Sequence, residues 1–247
     1  MIRGFVFILV FYLISVDLFS QEHLKVYLIP GQGSDERIFK NLVWDEFIDT
    51  VHIKYELPLV NETMEEYAVR ISKQIDTTEK FAIIGVSLGG MIACELADII
   101  QPEKAIIISS ASSSEEIPAM YKFFKRFPVH QEISSSIFKY STFILQPLYE
   151  PDRSLEKETC VNMIHDKDAL FIKRAVNLIV SWNRKEADNK NKPIVHIHGD
   201  ADNTLPVENI EADYIITNGS HMMTLTRADT LSVIINLELE KCMLVDN

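Results

Sequence analysis

Cysteine is scarce and poorly placed for any structural duty. Cys94, Cys160 and Cys242 are an odd number spread far apart. No CxxC spacing offers a zinc or redox site, at most one bridge could close within the chain, and none stands where a lipobox would need it. Cys94 lies among small residues in a predicted helix and reads as an apolar filler. Positive charge is also short: 24 Lys and Arg against 36 Asp and Glu leave a net charge of −12 at pH 7. Such a field repels phosphate backbones and anionic headgroups, which removes nucleic acid as a partner. Lys122, Lys125 and Arg126 are the densest basic group, and they read as a solvated helix face. No internal repeat and no linker divides the chain, so 247 residues, 47% of them hydrophobic, imply one globular domain with an ample core. Long apolar runs are missing too. The longest, Phe5 to Ile14, is too short to span a bilayer comfortably.

That run has the layout of a secretory signal, with Arg3 ahead of it and the more polar Ser15 to Ser20 behind. Residues 1–20 are therefore expected to be removed, which makes the remaining domain (21–247) secreted or periplasmic, without stable membrane insertion. Leu18 is larger than signal peptidase readily accepts two positions before that cut, so an uncleaved anchor stays open. Processing removes Arg3 and Asp17, one charge of each sign, and the net charge is unchanged.

From Leu24 onward, short β-rich runs alternate with helix-length amphipathic stretches, a rhythm that predicts an α/β fold with a mostly parallel sheet covered on both faces. Six strands are expected: Leu24 to Ile29, Thr50 to Tyr55, Phe81 to Val86, Lys104 to Ser109, Pro193 to His198 and Asp213 to Thr217. Cores such as Ala105-Ile106-Ile107-Ile108 are apolar without alternation, as in strands buried on both faces. Met64, Ala68, Ile71 and Ile75 recur at helical spacing behind a Thr63/Glu66 capping box. Further helices are expected over Leu88 to Ile100 and from about Arg227 to Leu239. Residues 111–167 break the rhythm with serine-rich loops, four prolines and a concentration of aromatics: Tyr121, Phe123, Phe124, Phe127, Phe138, Tyr140, Phe143 and Tyr149. They read as an inserted helical cap, with two or three rings lining a pocket and the rest packing the cap onto the sheet.

The sharpest chemical signal is Gly85-Val86-Ser87-Leu88-Gly89, a GxSxG at the junction of a buried strand and a helix. A serine held in so tight a turn is forced into a strained backbone conformation. Glycines two residues to either side let neighbouring chains approach, and the Ser87 hydroxyl projects above the sheet at the positive end of the helix.

Strand, GxSxG and helix together resemble the α/β-hydrolase family, and the likeness extends from about Val26 to about Leu239. It implies a triad in the order serine, acid, histidine. His198-Gly199-Asp200-Ala201-Asp202 is similar to the family's acid loop, in which the acid stands three residues after the glycine; that gives the role to Asp202, with Asp200 the competing residue. Asn218-Gly219-Ser220-His221 resembles the histidine loop and nominates His221, the one histidine beyond the acid loop. The resemblance further implies an oxyanion hole of two backbone N–H groups, from Leu88 and from Gln32 in the loop Ile29-Pro30-Gly31-Gln32-Gly33-Ser34, where Pro30 departs from the usual His-Gly. Two antiparallel strands that lead fuller members of the family are missing. No cofactor is called for. The substrate is expected to be a small acyl compound, a carboxylic ester first, with thioester, lactone and amide left open.

Two other classes compete. His196, His198 and Asp200 form HxHxD, which resembles the start of a metallo-β-lactamase zinc motif but has Ala201 where that motif needs a histidine. The plain alternative puts both histidines in the buried sheet. A homologue that binds ligands without turnover is the other rival.

Overall fold

The computed structural model describes residues 23–149, 156–185 and 194–244, with the side chains of 145–149 excepted. The expected signal over residues 1–20 and the ring of Tyr149 lie outside the described residues.

Six strands form one sheet: β1 (Leu24–Ile29), β2 (Ile48–His52), β3 (Phe81–Val86), β4 (Lys104–Ile108), β5 (Ile194–Gly199) and β6 (Tyr214–Ile216). Their order is β2-β1-β3-β4-β5-β6, and every neighbouring pair is parallel. Strand β3 is apolar throughout because helices cover both faces, and all six of its residues are buried. Alternate side chains divide between two cores. Tyr27, Ile29, Phe81 and Ile83 pack with α1 (Met64–Ile71), α2 (Leu88–Ile100) and α6 (Ala169–Ser181). Val26, Leu28, Ala82 and Ile84 pack on the other face with α7 (Met223–Thr226) and α8 (Ala228–Met243).

Parallel pairing brings the carboxyl ends of the strands to a common edge. Ile29 is level with Gly85, Val86 with Ile108, and Ile108 with Ile197. The chain runs from β1 outward to β2 and then back past β1 to β3, so the connection changes direction between β1 and β3. Open α/β sheets bind ligands at the crevice where this happens.

Helix α1 begins as its sequence predicts: the Thr63 hydroxyl accepts from Glu66 N–H, and the Glu66 carboxylate accepts from Thr63 N–H. Such a cap contributes about 1 kcal/mol. The second strand departs from expectation, running over Ile48–His52 rather than Thr50 to Tyr55. It lies at the sheet edge and only Ile48 is buried, so no period-two apolar pattern marks its ends.

Between β4 and β5 the chain forms α3 (Ala119–Arg126), α4 (Ser135–Tyr149), α5 (Lys157–Asp166) and α6. The sequence reading did not assign α6. Its signals are nonetheless present: Asp168 caps it through Phe171 N–H, and Phe171, Ala175, Leu178 and Ile179 face the core at helical spacing.

Candidate active site

Three loops at the carboxyl edge of the sheet build the site. At the first, Ser87 joins β3 to α2 with φ 54° and ψ −120°, a left-handed strained conformation that projects its side chain out of the turn. Backbones crowd this turn. A Cβ on Gly85 would stand 2.2 Å from the Gly89 carbonyl oxygen, and one on Gly89 would stand 2.1 Å from that of Ile29. Ser110, at the end of β4, braces the turn by donating its hydroxyl to the Ser87 carbonyl at 2.7 Å. Nothing in the local pattern of the sequence marked Ser110.

The second and third loops are stitched together by their main chains. Asp200 N–H donates to the Ile216 carbonyl at 3.1 Å, and Ala201 N–H to the Gly219 carbonyl at 3.0 Å. Gly199 allows this approach, since a Cβ there would meet the Gly219 oxygen at 2.1 Å. Asp202 and His221 are thereby fixed relative to one another.

The three side chains stand in line. His221 Nδ1 is 2.8 Å from Asp202 Oδ2, and His221 Nε2 is 3.0 Å from Ser87 Oγ. A carboxylate only accepts, so Nδ1 carries the hydrogen and Nε2 is free to accept from the Ser87 hydroxyl. The second carboxylate oxygen, Oδ1, accepts from Thr204 N–H at 2.8 Å and Leu205 N–H at 2.9 Å. Burial alone would push the Asp202 carboxyl up, but the His221 imidazole and the Leu205 amide outweigh it and hold the group below its ordinary value. Asp200 plays a different part: it accepts from Asn218 N–H at 2.6 Å and shapes the histidine loop.

His198, on β5, reaches the same turn from below. Its Nε2–H donates to the Leu205 carbonyl at 2.8 Å and lies 3.6 Å from Asp202 Oδ2. The 202–205 turn is thus pinned through its amides by Asp202 and through its carbonyl by His198. His196 packs edge-on against His198, with ring centroids 5.4 Å apart, and burial pushes it down to about 3, so it stays neutral. Among the described residues no group of three or more His, Cys, Asp or Glu is placed to hold a metal. With Nε2 of His198 engaged by a carbonyl, the HxHxD segment serves the sheet and the acid turn.

The loop after β1 closes the site from the side. Gly31 N–H is taken by the Ser34 hydroxyl at 2.8 Å, and the Gln32 side chain donates to the Ile172 carbonyl of α6 at 2.9 Å. The main-chain N–H of Gln32 has no acceptor among the described residues, and neither does that of Leu88, the first residue of α2. The loop sits against the serine: a Cβ on Gly31 would be 3.4 Å from Ser87 Cβ.

Above these loops lies a cavity of about 370 Å³ that contains Ser87, His221 and Gln32 and is roofed by Tyr121, Phe124, Phe138, Ile172 and Val176. Three cap aromatics therefore line the pocket. The others do not pack onto the sheet as expected: Phe123, Phe127, Tyr140 and Phe143 are exposed. Their helices already present Tyr121, Phe124 and Phe138 inward, so a second row of rings on the same helix must face out. A larger hollow of about 720 Å³ beside Pro30, bordered by Arg37, Tyr55 and Lys167, contains none of the three aligned residues and is not the site.

No protein-family model and no curated protein matches this sequence. Among solved structures the chain is similar to a thermophilic esterase from Thermogutta terrifontis (TM-score 0.67, 16% identity, covering 90% of this chain and 91% of that one). It is also similar to MenH from S. aureus (TM-score 0.69, 13% identity, 90% and 95%) and to the enol-lactonase from Burkholderia xenovorans LB400 (TM-score 0.66, 14% identity, 89% and 92%). Likeness at such identities establishes the fold, and the chain has the α/β-hydrolase fold.

Proposed function

We propose that this protein is a serine hydrolase that cleaves a small carboxylic ester through an acyl-enzyme. The observation that carries the reading is the unbroken chain of contacts from Ser87 Oγ to His221 at 3.0 Å and from His221 to Asp202 at 2.8 Å. His221 Nε2 takes the hydroxyl proton as Ser87 Oγ bonds to the acyl carbonyl carbon. The oxyanion that develops is received by the main-chain N–H groups of Gln32 and Leu88, which are free of other acceptors. The tetrahedral adduct collapses when His221 returns the proton to the leaving alcohol. Water then repeats the sequence on the acyl-enzyme and releases the carboxylic acid. Asp202 holds the imidazole in its Nδ1–H tautomer and stabilises the cation that forms.

The cavity favours an apolar acyl group, because Tyr121, Phe124, Phe138, Ile172 and Val176 surround the space above the serine. At about 370 Å³ it lies near the small end of ligand sites. Similarity to an esterase and an enol-lactonase agrees with acyl chemistry at this site. The apolar run Phe5 to Ile14 behind Arg3 supports export, with the enzyme acting outside the cytoplasm. The test is a series of p-nitrophenyl esters from acetate to palmitate, run beside an acyl-thioester, a lactone and an aminoacyl-amide. The expected optimum is a butyrate-to-octanoate ester, abolished by Ser87→Ala. Faster turnover of the thioester, lactone or amide at matched chain length would replace the ester reading.

A further inference from the structure

The cap helices carry apolar side chains outside as well as toward the cavity. In α3, Tyr121 and Phe124 line the cavity while Phe123 and Phe127, the residue that follows the helix, are each 52% exposed, their rings 5.2 Å apart. In α4, Phe138, Ser141 and Thr142 line the cavity while Ile137 (62%), Tyr140 (65%) and Ile144 (53%) recur on the outer side. A contiguous exposed apolar patch of this kind marks a surface that meets something other than water. Met120 and Ile133 belong to both sets, since each is exposed and each borders the cavity, so the outer apolar surface runs to the mouth of the pocket.

Charge indicates what meets this face. The chain as a whole is strongly acidic, yet residues 117–149 hold four bases, Lys122, Lys125, Arg126 and Lys139, and one acid, Glu132. Lys122, Lys125 and Arg126 are exposed; Lys122 donates to the Glu115 carbonyl and Lys125 to the Trp182 carbonyl, and among the described residues none of the three lies in an ion pair with a carboxylate. Lys139 is half-buried and donates to the carbonyls of His165 and Lys167. Exposed rings and aliphatic side chains flanked by cations are the composition of a surface that lies in a lipid headgroup layer.

We propose that the outer face of α3 and α4 docks on an anionic lipid surface with the pocket mouth turned toward it. The contact is peripheral: rings enter the headgroup region, the three cations meet lipid phosphates, and no segment of the cap crosses the bilayer. The acidic remainder of the protein is then held away from the membrane, beyond the roughly 10 Å over which charges act at ordinary salt. Docking is a property of the cap and does not depend on the hydrolase reading, so a Ser87→Ala protein retains it.

The experiment places an environment-sensitive thiol dye on full-length protein at Ser136→Cys, on the outer part of α4, or at Glu240→Cys, in the last two turns of α8 on the far side of the sheet. The three native cysteines are buried, so label enters the new site. Vesicles of phosphatidylcholine with one-third phosphatidylglycerol are expected to shift the position-136 dye to the blue and raise its emission several-fold, with position 240 unchanged. Because the comparison is between two positions, any anchoring by the N-terminal apolar run affects both alike. Reversing the cations (Lys122→Glu, Lys125→Glu, Arg126→Glu) should weaken the position-136 response to added vesicles at least about tenfold. Equal responses at both positions, or none at position 136, would overturn the proposal. So would a position-136 shift that needs no vesicles and accompanies a doubled mass in solution, which would assign the face to a second copy of the chain.

Discussion

The floor and the roof of the pocket are built on different principles. In the floor, main chain meets main chain: Gly85 against Gly89, Gly89 against Ile29, Gly199 against Gly219, all at separations that exclude a Cβ. Side chains then project from loops that have no freedom to shift. In the roof, α3 and α4 each pack against α6, and much of their apolar surface remains outside. A backbone-packed floor fixes reacting groups to within the tolerance that proton transfer requires. A side-chain-packed roof can change shape or composition without disturbing them, so chemistry should reside in the floor and selectivity in the roof.

Substitutions can break that contrast. The largest effect is expected from Asp202→Asn, which leaves the fold intact but offers His221 the wrong tautomer; kcat for p-nitrophenyl butyrate should fall about 10⁴-fold with Tm nearly unchanged. A comparable loss from any roof substitution would erase the distinction. Next is Gly89→Ala, whose added methyl meets the Ile29 carbonyl oxygen at 2.1 Å. Thermal denaturation should show a loss of about 3 kcal/mol or more, roughly 10 °C for a chain of this size, whereas Ser136→Ala in the roof should be silent.

His198→Leu separates positioning from packing within the floor itself. Freed from His198, the Leu205 carbonyl lets the acid turn drift, and kcat should drop about ten- to a hundredfold while KM holds. An unchanged kcat beside a lowered Tm would reduce His198 to a core residue. In the roof, Phe124→Ala or Phe138→Ala should raise KM for octanoate esters about five- to tenfold and spare acetate, since one ring's contact is worth a few kcal/mol at most.

The smallest effect concerns Lys167, where roof and floor touch. Its Nζ donates to the Ser34 carbonyl and lies over the rings of Tyr55 and Phe171, and burial pushes it down to about 8. Between that value and the ordinary lysine value the unfolded chain binds a proton that the folded chain does not, so stability rises with pH across the interval. Lys167→Met should flatten this slope in denaturant titrations; an unaltered slope would show that the ammonium is not desolvated.

The same contrast explains what could be read from the residues alone. Ser87 is legible from GxSxG at the junction of a buried strand and a helix, and the resemblance to the α/β-hydrolase family, which sets the order serine, acid, histidine, then nominates Asp202 and His221. Gln32 and Leu88 followed from that frame. The strands were legible where they are buried on both faces, as in β1 and β3, and blurred at the edge, where β2 buries one residue of five. Ser110, Ser34 and His198 brace the site through side-chain hydrogen bonds to carbonyls and amides, a duty that leaves no periodic trace. In the roof, a count of aromatic residues said that a cap exists but not which way each ring faces, and α6 went unassigned despite its Asp168 cap.

The central claim is that Ser87 is a nucleophile because His221 takes its proton. Reaction with a fluorophosphonate, followed by peptide mass mapping, tests it directly. One adduct per chain on the peptide bearing Ser87 is expected, formed at least a thousandfold more slowly in His221→Ala. An adduct elsewhere, no adduct at all, or equal rates in the two proteins would contradict the account.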